Sequence, residues 1–243
     1  MTNDTFSASG SGKFSGTTVK FFSGTFLCFM LLLGDHMDTN HIHWLGHASF
    51  RIEDGKKIIY IDPWKISEKS PPADIIFITH GHYDHFSPVD IAKIRTGKTI
   101  LVAPKNIAAQ LQGNVIAVEP GKTYKIGSLK VTTVPAYNIN KKFHPKENGW
   151  VGYIITLSNG EKIYHSGDTD FIPEMKTIAT DIAMMPCGGT YTMTAKEMAE
   201  AANSFMPKIL IPMHWGDIVG SRADAETVKK LFKGETVVKE KEE

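Results

Sequence analysis

The sequence predicts a mixed domain of α+β or α/β class, in which two β-sheets pack face to face and helices cover their outer faces as a four-layer αββα sandwich. Three observations predict it. From Met37 onward, strand-like and helix-like runs alternate. Between residues 123 and 165 a second series of strand-like runs is separated by short turns, as in an antiparallel sheet, before the last third returns to strand and helix in alternation. With 243 residues, 42% of them hydrophobic, the chain can bury one substantial core.

Element by element, residues 41–53 and 56–62 read as strands flanking an Asp54-Gly55 hairpin turn. Residues 74–79 are a β-branched and aromatic run of the kind buried on both faces of a sheet. Ser87-Pro88-Val89-Asp90 then supplies an N-cap, a first-turn proline and an early acid, so a helix follows through Ile94. A strand at 99–103, a short helix at 106–112 and a strand at 115–118 come next. The antiparallel series is 123–126, 129–134, 150–157 and 162–165, with turns at Gly127-Ser128 and Asn159-Gly160. Residues 181–185 and 208–213 read as buried strands. Thr194-Ala195-Lys196-Glu197 is a capping box opening a helix toward Phe205, and a last helix spans 223–232 before Thr236-Val237-Val238.

Residues 1–36 differ in kind. Residues 1–19 are rich in Ser, Gly and Thr, and 21–33 form an apolar run preceded by Lys13 and Lys20, like a weak secretory signal without an Ala-x-Ala cleavage site. The run is short for a bilayer span. The expectation is a non-catalytic extension followed by one catalytic domain at 37–243, in a cytoplasmic protein, or a secreted or anchored one if 21–33 act as a signal. A net charge of +1 without a basic block gives no footprint for nucleic acid, and a small-molecule substrate is the expected partner. The two cysteines, Cys28 and Cys187, define neither a disulfide framework nor a thiolate metal motif.

The chemistry is concentrated in Thr79-His80-Gly81-His82-Tyr83-Asp84-His85, directly after a strand-like run. Three imidazoles and a carboxylate on one loop suit zinc or a neighbouring divalent ion and can serve two ions side by side. An H-x-H-x-D-H string arises by accident in on the order of one chain in a thousand, so a metal site is the better reading. Two ions need further ligands from other strand ends. Asp168, in His165-Ser166-Gly167-Asp168-Thr169, can bridge two ions, and His214 follows the strand at 208–213.

With these residues in hand, the chain from about His41 to Val238 resembles the metallo-β-lactamase-fold hydrolases, especially the branch related to ascorbate-6-phosphate lactonase and to small metal-dependent hydrolases. The resemblance rests on Trp44-Leu45-Gly46-His47-Ala48, Ile61-Asp62-Pro63-Trp64, the His80 to His85 loop, the Tyr164 to Thr169 segment and Pro212-Met213-His214. It implies that His80 and His82 hold one ion, that Asp84, His85 and His214 hold the other, and that Asp168 bridges them. The family's third ligand to the first ion is usually a histidine following a Pro-Ala pair. Here Pro135-Ala136-Tyr137 leads to Asn138, and the nearest imidazole is His144. Asn138 ligating through its amide, His144 reaching in from the loop, or a weak first site are the alternatives.

Asp62 is expected to accept a hydrogen bond from a ligating imidazole, as the resemblance implies. His47 either points into the cleft toward substrate or is a satisfied strand histidine. His165 is expected to pack within its strand, His41 and His43 to face solvent, and Cys187 to be a buried apolar side chain. Gly188 to Thr194 lacks a P-loop lysine but can line the substrate pocket. The predicted reaction is hydrolysis of a lactone, ester or phosphoester by a water that two divalent ions, zinc or manganese, bring close to ionisation. Asp84 would orient or deprotonate it, and His47 or His144 would steady the oxyanion. The alternatives are a phosphodiesterase or nuclease, which calls for a basic surface and salt-dependent binding, an oxygen-reducing diiron protein, against which the imidazole of His82 speaks, and a non-enzymatic metal-binding module.

Overall fold

The structure, a computed structural model, describes residues 37–242. The segment read as an extension, with its apolar run at 21–33 and Cys28, lies outside the described residues. The first sheet contains β1 (Ile42–Gly46), β2 (Ser49–Asp54), β3 (Lys57–Ile61), β4 (Ile75–Phe77), β5 (Ile100–Pro104) and β6 (Asn114–Val118), lying in that order. The second contains β7 (Thr123–Ile126), β8 (Leu129–Pro135), β9 (Val151–Thr156), β10 (Lys162–His165), β11 (Ile182–Pro186), β12 (Ile209–Met213) and β13 (Glu235–Thr236), again neighbours in chain order. In each sheet an antiparallel part passes into a parallel part, at β3 in the first and at β10 in the second. Parallel neighbours require crossovers, and helices make several of them: α1 (Pro88–Ile94) and α2 (Lys105–Ala108) on the first sheet, α3 (Ala195–Phe205) and α4 (Arg222–Leu231) on the second.

The period of two decides the layers. Ile59, Ile61, Ile75, Phe77 and Val102 face the second sheet and join one core with Val131, Tyr153, Ile163 and Met184. The intervening Tyr60, Ile76, Ile78 and Leu101 face the other way and pack under Ile91, Ile94 and Ile107 of the two short helices. Helices α3 and α4 present Met198, Ala202, Ala225 and Val228 to the core. The architecture is the predicted αββα sandwich.

Several elements differ from expectation. The 41–53 run is two strands, because Gly46 at φ 105° and His47 at φ 51° turn the chain back on itself. Alternation alone could not reveal that turn. The helix expected at 106–112 is the single turn α2, with only Ile107 buried, too little apolar surface to hold a longer one. Two 3₁₀ turns, Lys146–Asn148 and Pro173–Thr177, were not anticipated. His41, just before the edge strand β1, and His43, on it, are partly buried, not solvated. His41 contacts Glu161 at 2.7 Å and His43 contacts Glu242 at 2.7 Å.

Candidate metal centre

The ligand loop leaves β4 at the rim of the first sheet and is held in a tight turn, with the His85 and Phe86 amides donating to the His82 carbonyl at 3.0 and 2.8 Å. Opposite it, the ends of β10 and β12 deliver Asp168 and His214 from the second sheet. The turn after β1 brings in His47, whose carbonyl accepts from the His214 amide at 2.8 Å and from the Trp44 indole at 2.9 Å. That contact joins the two sheets under the site. His47, Asp62 and His214 all adopt left-handed backbone, at φ 51°, 47° and 58°. Each costs about 1–2 kcal/mol in a non-glycine residue, so the strain coincides with side chains that face the cluster.

Among the described residues two separate groups of side chains have ligand atoms within 4.8 Å of one another, His80, His82 and His144, and His47, Asp84, His85 and His214, and a third, Asp62, His80 and His85, overlaps both. Asp168 lies between the first two. Its Oδ2 is 3.3 Å from His144 Nε2, 2.9 Å from His214 Nε2 and 3.9 Å from His80 Nε2, and its Oδ1 is 3.3 Å from His85 Nε2. His80 Nε2 and His82 Nδ1 are 3.1 Å apart.

These spacings test whether divalent ions fit. Ligands bound at about 2.0–2.1 Å to a tetrahedral ion stand roughly 3.3 Å from one another. The observed separations cluster around that value. Moreover, His85 Nε2, His144 Nε2, His214 Nε2 and Asp168 Oδ1 are buried with no hydrogen-bond partner. Close nitrogens and oxygens that nevertheless fail to hydrogen-bond are aimed at points between them, as metal ligands are. The residues fit divalent metal.

The opposite faces of the rings are fixed. His85 Nδ1 donates to Asp62 Oδ2 at 2.7 Å, while His80 Nδ1 lies 3.0 Å from Thr79 Oγ1, which itself donates to Asp62 Oδ2 at 2.6 Å. One buried carboxylate thereby sets two imidazole tautomers, leaving both Nε2 atoms for the site. An Asp62→Asn variant is expected to keep its fold and lose about 10–100-fold in metal affinity, measured by competition with a chelating dye.

Asn138 is not placed as a ligand. Its Oδ1 accepts from the His144 amide at 2.9 Å and faces His144 Nδ1 at 3.0 Å, while its Nδ2 donates to Asp170 and to the Tyr191 carbonyl. Of the alternatives left open by the sequence, the geometry presents His144, with Asn138 orienting it. His47 is likewise not at the cleft surface. It is fully buried, with Nε2 3.0 Å from Asp84 Oδ2, so it reaches substrate only through Asp84. His165 contacts the Ala48 carbonyl and accepts from the Gly167 amide, spanning the sheets away from the cluster. Buried Cys187 has its thiol pKa raised by desolvation and serves as core.

Burial lowers the pKa of His80, His82 and His47, keeping them in the neutral form that binds metal. At His85 desolvation pulls the same way but is outweighed by Asp168 and Asp62, which raise its pKa well above the usual value. For Asp84, desolvation acts upward, yet the hydrogen bond from His47 and the charge of His85 bring it down to about 2. Asp168 is also held well below the ordinary carboxylate range, by His214 and His85 against its desolvation. Metal uptake near neutral pH must therefore displace a proton from His85. Calorimetric titration with zinc is expected to show heats that vary with the buffer's ionisation enthalpy, corresponding to about one proton released from the protein, and the His85→Gln variant to lose that dependence.

Above the cluster is a cavity of about 220 Å³, bounded by Asp84, His144 and Asp168 below and by Tyr83, Phe143 and Tyr191 at the mouth. Tyr191 lies in the Gly188 to Thr194 segment expected to line the pocket, whereas Tyr83 and Phe143 were not singled out as lining residues by the sequence, nor was Trp150, whose ring lies 5.0 Å from those of both His80 and His82. Asp170, which anchors Asn138 and Lys141, was also missed, although it stands two residues beyond Asp168. Among the described residues no helix is long and apolar enough to cross a membrane.

Comparison with known proteins agrees with this geometry. Residues 41–214 match the Beta-lactamase superfamily domain. A UPF0173 metal-dependent hydrolase of Methanopyrus kandleri is 36% identical over 210 residues, covering 78% of this chain and 90% of its own. A second, from Methanosphaera stadtmanae, is 37% identical over 218 residues, covering 81% and 92%. Among crystal structures, a metal-dependent hydrolase of Parabacteroides distasonis superposes with a TM-score of 0.74 at 34% identity, over 83% of this chain and 93% of that one. A metallo hydrolase of Ignicoccus hospitalis shares the fold at a TM-score of 0.70 and 23% identity, over 83% and 95%.

Proposed function

Since the chain belongs to the β-lactamase superfamily and is a metal-dependent hydrolase, we propose that it cleaves a lactone, ester or phosphoester bond with two divalent ions, zinc in preference to manganese. The observation that carries this reading is the convergence of unpaired buried ring nitrogens on Asp168 from both sheets. His80, His82 and His144 would hold one ion, Asp84, His85 and His214 the other, and Asp168 both. When bound, such a pair supplies a water poised for attack and positive charge for the oxygen that becomes negative.

The chain's own residues supply the rest. Asp84, ionised throughout the working pH range, has Oδ2 engaged by His47, and its remaining oxygen is the one that accepts the proton of the attacking water. His47 acts as a positioning residue for that carboxylate. His144 borders the cavity with its Nδ1 side fixed by Asn138, and Asp62 and Thr79 hold His85 and His80 against rotation, so little reorganisation accompanies the reaction. The test is elemental analysis of protein purified without added metal, followed by a screen of lactones, carboxylic esters and phosphodiesters. About two equivalents of zinc and turnover in one class are expected. At most one equivalent after reloading, or no turnover in any class, overturns the reading.

A further inference from the structure

The wall of the cavity specifies more than the bond that is cut, and we propose that the substrate carries an uncharged, ring-sized apolar or aromatic group beside its scissile bond; this rests on the hydrolase reading above. Phe143 and Tyr191 form an edge-to-face pair, with centroids 4.7 Å apart and planes at 86°, and Ile218 and Tyr83 complete the apolar rim. Tyr83 is 66% and Phe143 44% exposed, so large rings stand in water at the mouth of a polar centre. A flat group sliding between them removes that surface from water and gains ring-to-ring contact. Tyr83 is steadied from behind by Trp64, 6.0 Å away edge-on, so the rim is partly preformed.

Charge points to the same class. Among the described residues that line the cavity there is no lysine or arginine, and the carboxylates of Asp84 and Asp168 would be engaged by the metal. Lys65 pairs with Asp217 at 2.9 Å and lies over the Trp64 ring, and Lys141 pairs with Asp170, while Lys142, next to Phe143 in the chain, is exposed and not part of the cavity lining. A second anionic group on the substrate, such as the phosphate of a sugar phosphate or the next phosphate of a nucleic-acid strand, would enter this pocket unpaired. Size sets the final limit, because a cavity of about 220 Å³ lies below the 300–1,000 Å³ typical of drug-sized ligands.

Binding separates this proposal from catalysis. Hydroxamates chelate divalent ions through their own two oxygens, so acetohydroxamate, phenylacetohydroxamate and 4-carboxyphenylacetohydroxamate differ only in what they place against the rim. Isothermal titration of the zinc-loaded full chain is expected to give phenylacetohydroxamate about tenfold tighter binding than either of the others. Phe143→Ala, at a half-exposed position, should reduce that preference to about threefold. Equal affinity for the acetyl and phenylacetyl probes, or tighter binding of the carboxylated one, overturns the inference and leaves the hydrolase reading standing. Failure of all three to bind overturns the metal site and the inference with it.

Discussion

Asp168→Ala is expected to lose bound metal and catalysis together, with zinc falling from about two equivalents to one or fewer and kcat/KM dropping by about 10³-fold or more. The size of the effect follows from position. Asp168 is buried and lies within 3.3 Å of ring nitrogens on His85, His144 and His214, which come from the ligand loop, from the loop after β8 and from the end of β12. Among the described residues Asp62 also lies near imidazoles of both groups, but it holds the outer Nδ1 sides of His85 and, through Thr79, of His80, whereas Asp168 meets their Nε2 sides. Removal leaves Asp84, beside His85 and His214, as the one carboxylate at their Nε2 sides among the described residues, and none beside His144, so the loss reaches both groups of ligands. Asp168→Asn sharpens the test, because the amide keeps the shape and removes the charge. It should fold with unchanged circular dichroism and still lose at least one equivalent of zinc. Retention of two equivalents and of turnover in either variant would falsify the bridging role.

Removal of metal should be nearly as consequential for stability. Ions that bind only the folded chain stabilise it by RT ln(1 + [L]/Kd), about 2.7 kcal/mol for a site at 100 times its Kd, which for a chain of this size corresponds to a fall in Tm of about 5–10 °C on chelation. The metal-free form should also be acid-sensitive, and the sign can be worked out. His47, His80 and His82 have folded pKa values below 6.5, so as the pH falls through 6.5 the unfolded chain takes up protons that the folded one refuses. Stability from these groups is lost on acidification. His85 has the opposite sign: its raised value contributes stability that is present below 6.5 and lost as pH rises through the folded pKa. With His165, whose pKa burial also lowers, four groups oppose one. Thermal melts of chelated protein should shift downward between about pH 7.5 and about pH 5.5, and readdition of zinc at the higher pH should restore the original Tm. An unchanged Tm on chelation would contradict both the binding and its coupling to folding.

How much of this was legible in the sequence depends on the range of the interaction. The His80 to His85 loop was readable because its ligands are local, and Ser87 caps α1 as its side chain required. Asp168 and His214 were readable as residues at strand ends, and the two sheets bring them together with the loop. Strand order within the sheets was not, because the parallel pairings of β3 with β4 and of β10 with β11 join segments separated by whole crossovers. The two readings of His47 could not be separated for a local reason. Its strand-like neighbours concealed the turn at Gly46, and a turn there aims the ring inward at Asp84. Asn138 stood where a histidine was expected. Only coordinates show that its carbonyl oxygen is already occupied by His144, six residues onward, and that Tyr83, Phe143 and Tyr191 meet at one opening.

The left-handed backbone at His47, Asp62 and His214 has a consequence for descent as well as for chemistry. Selection for durability alone would favour glycine or asparagine at these three places, since either relieves the local strain. A lineage that abandons turnover should therefore drift toward those residues there first, while the αββα framework persists. Glycine at the positions equivalent to 47, 62 and 214 would mark such degenerate copies in a genome, and expression of one should yield a stable protein that neither retains zinc nor turns over substrate.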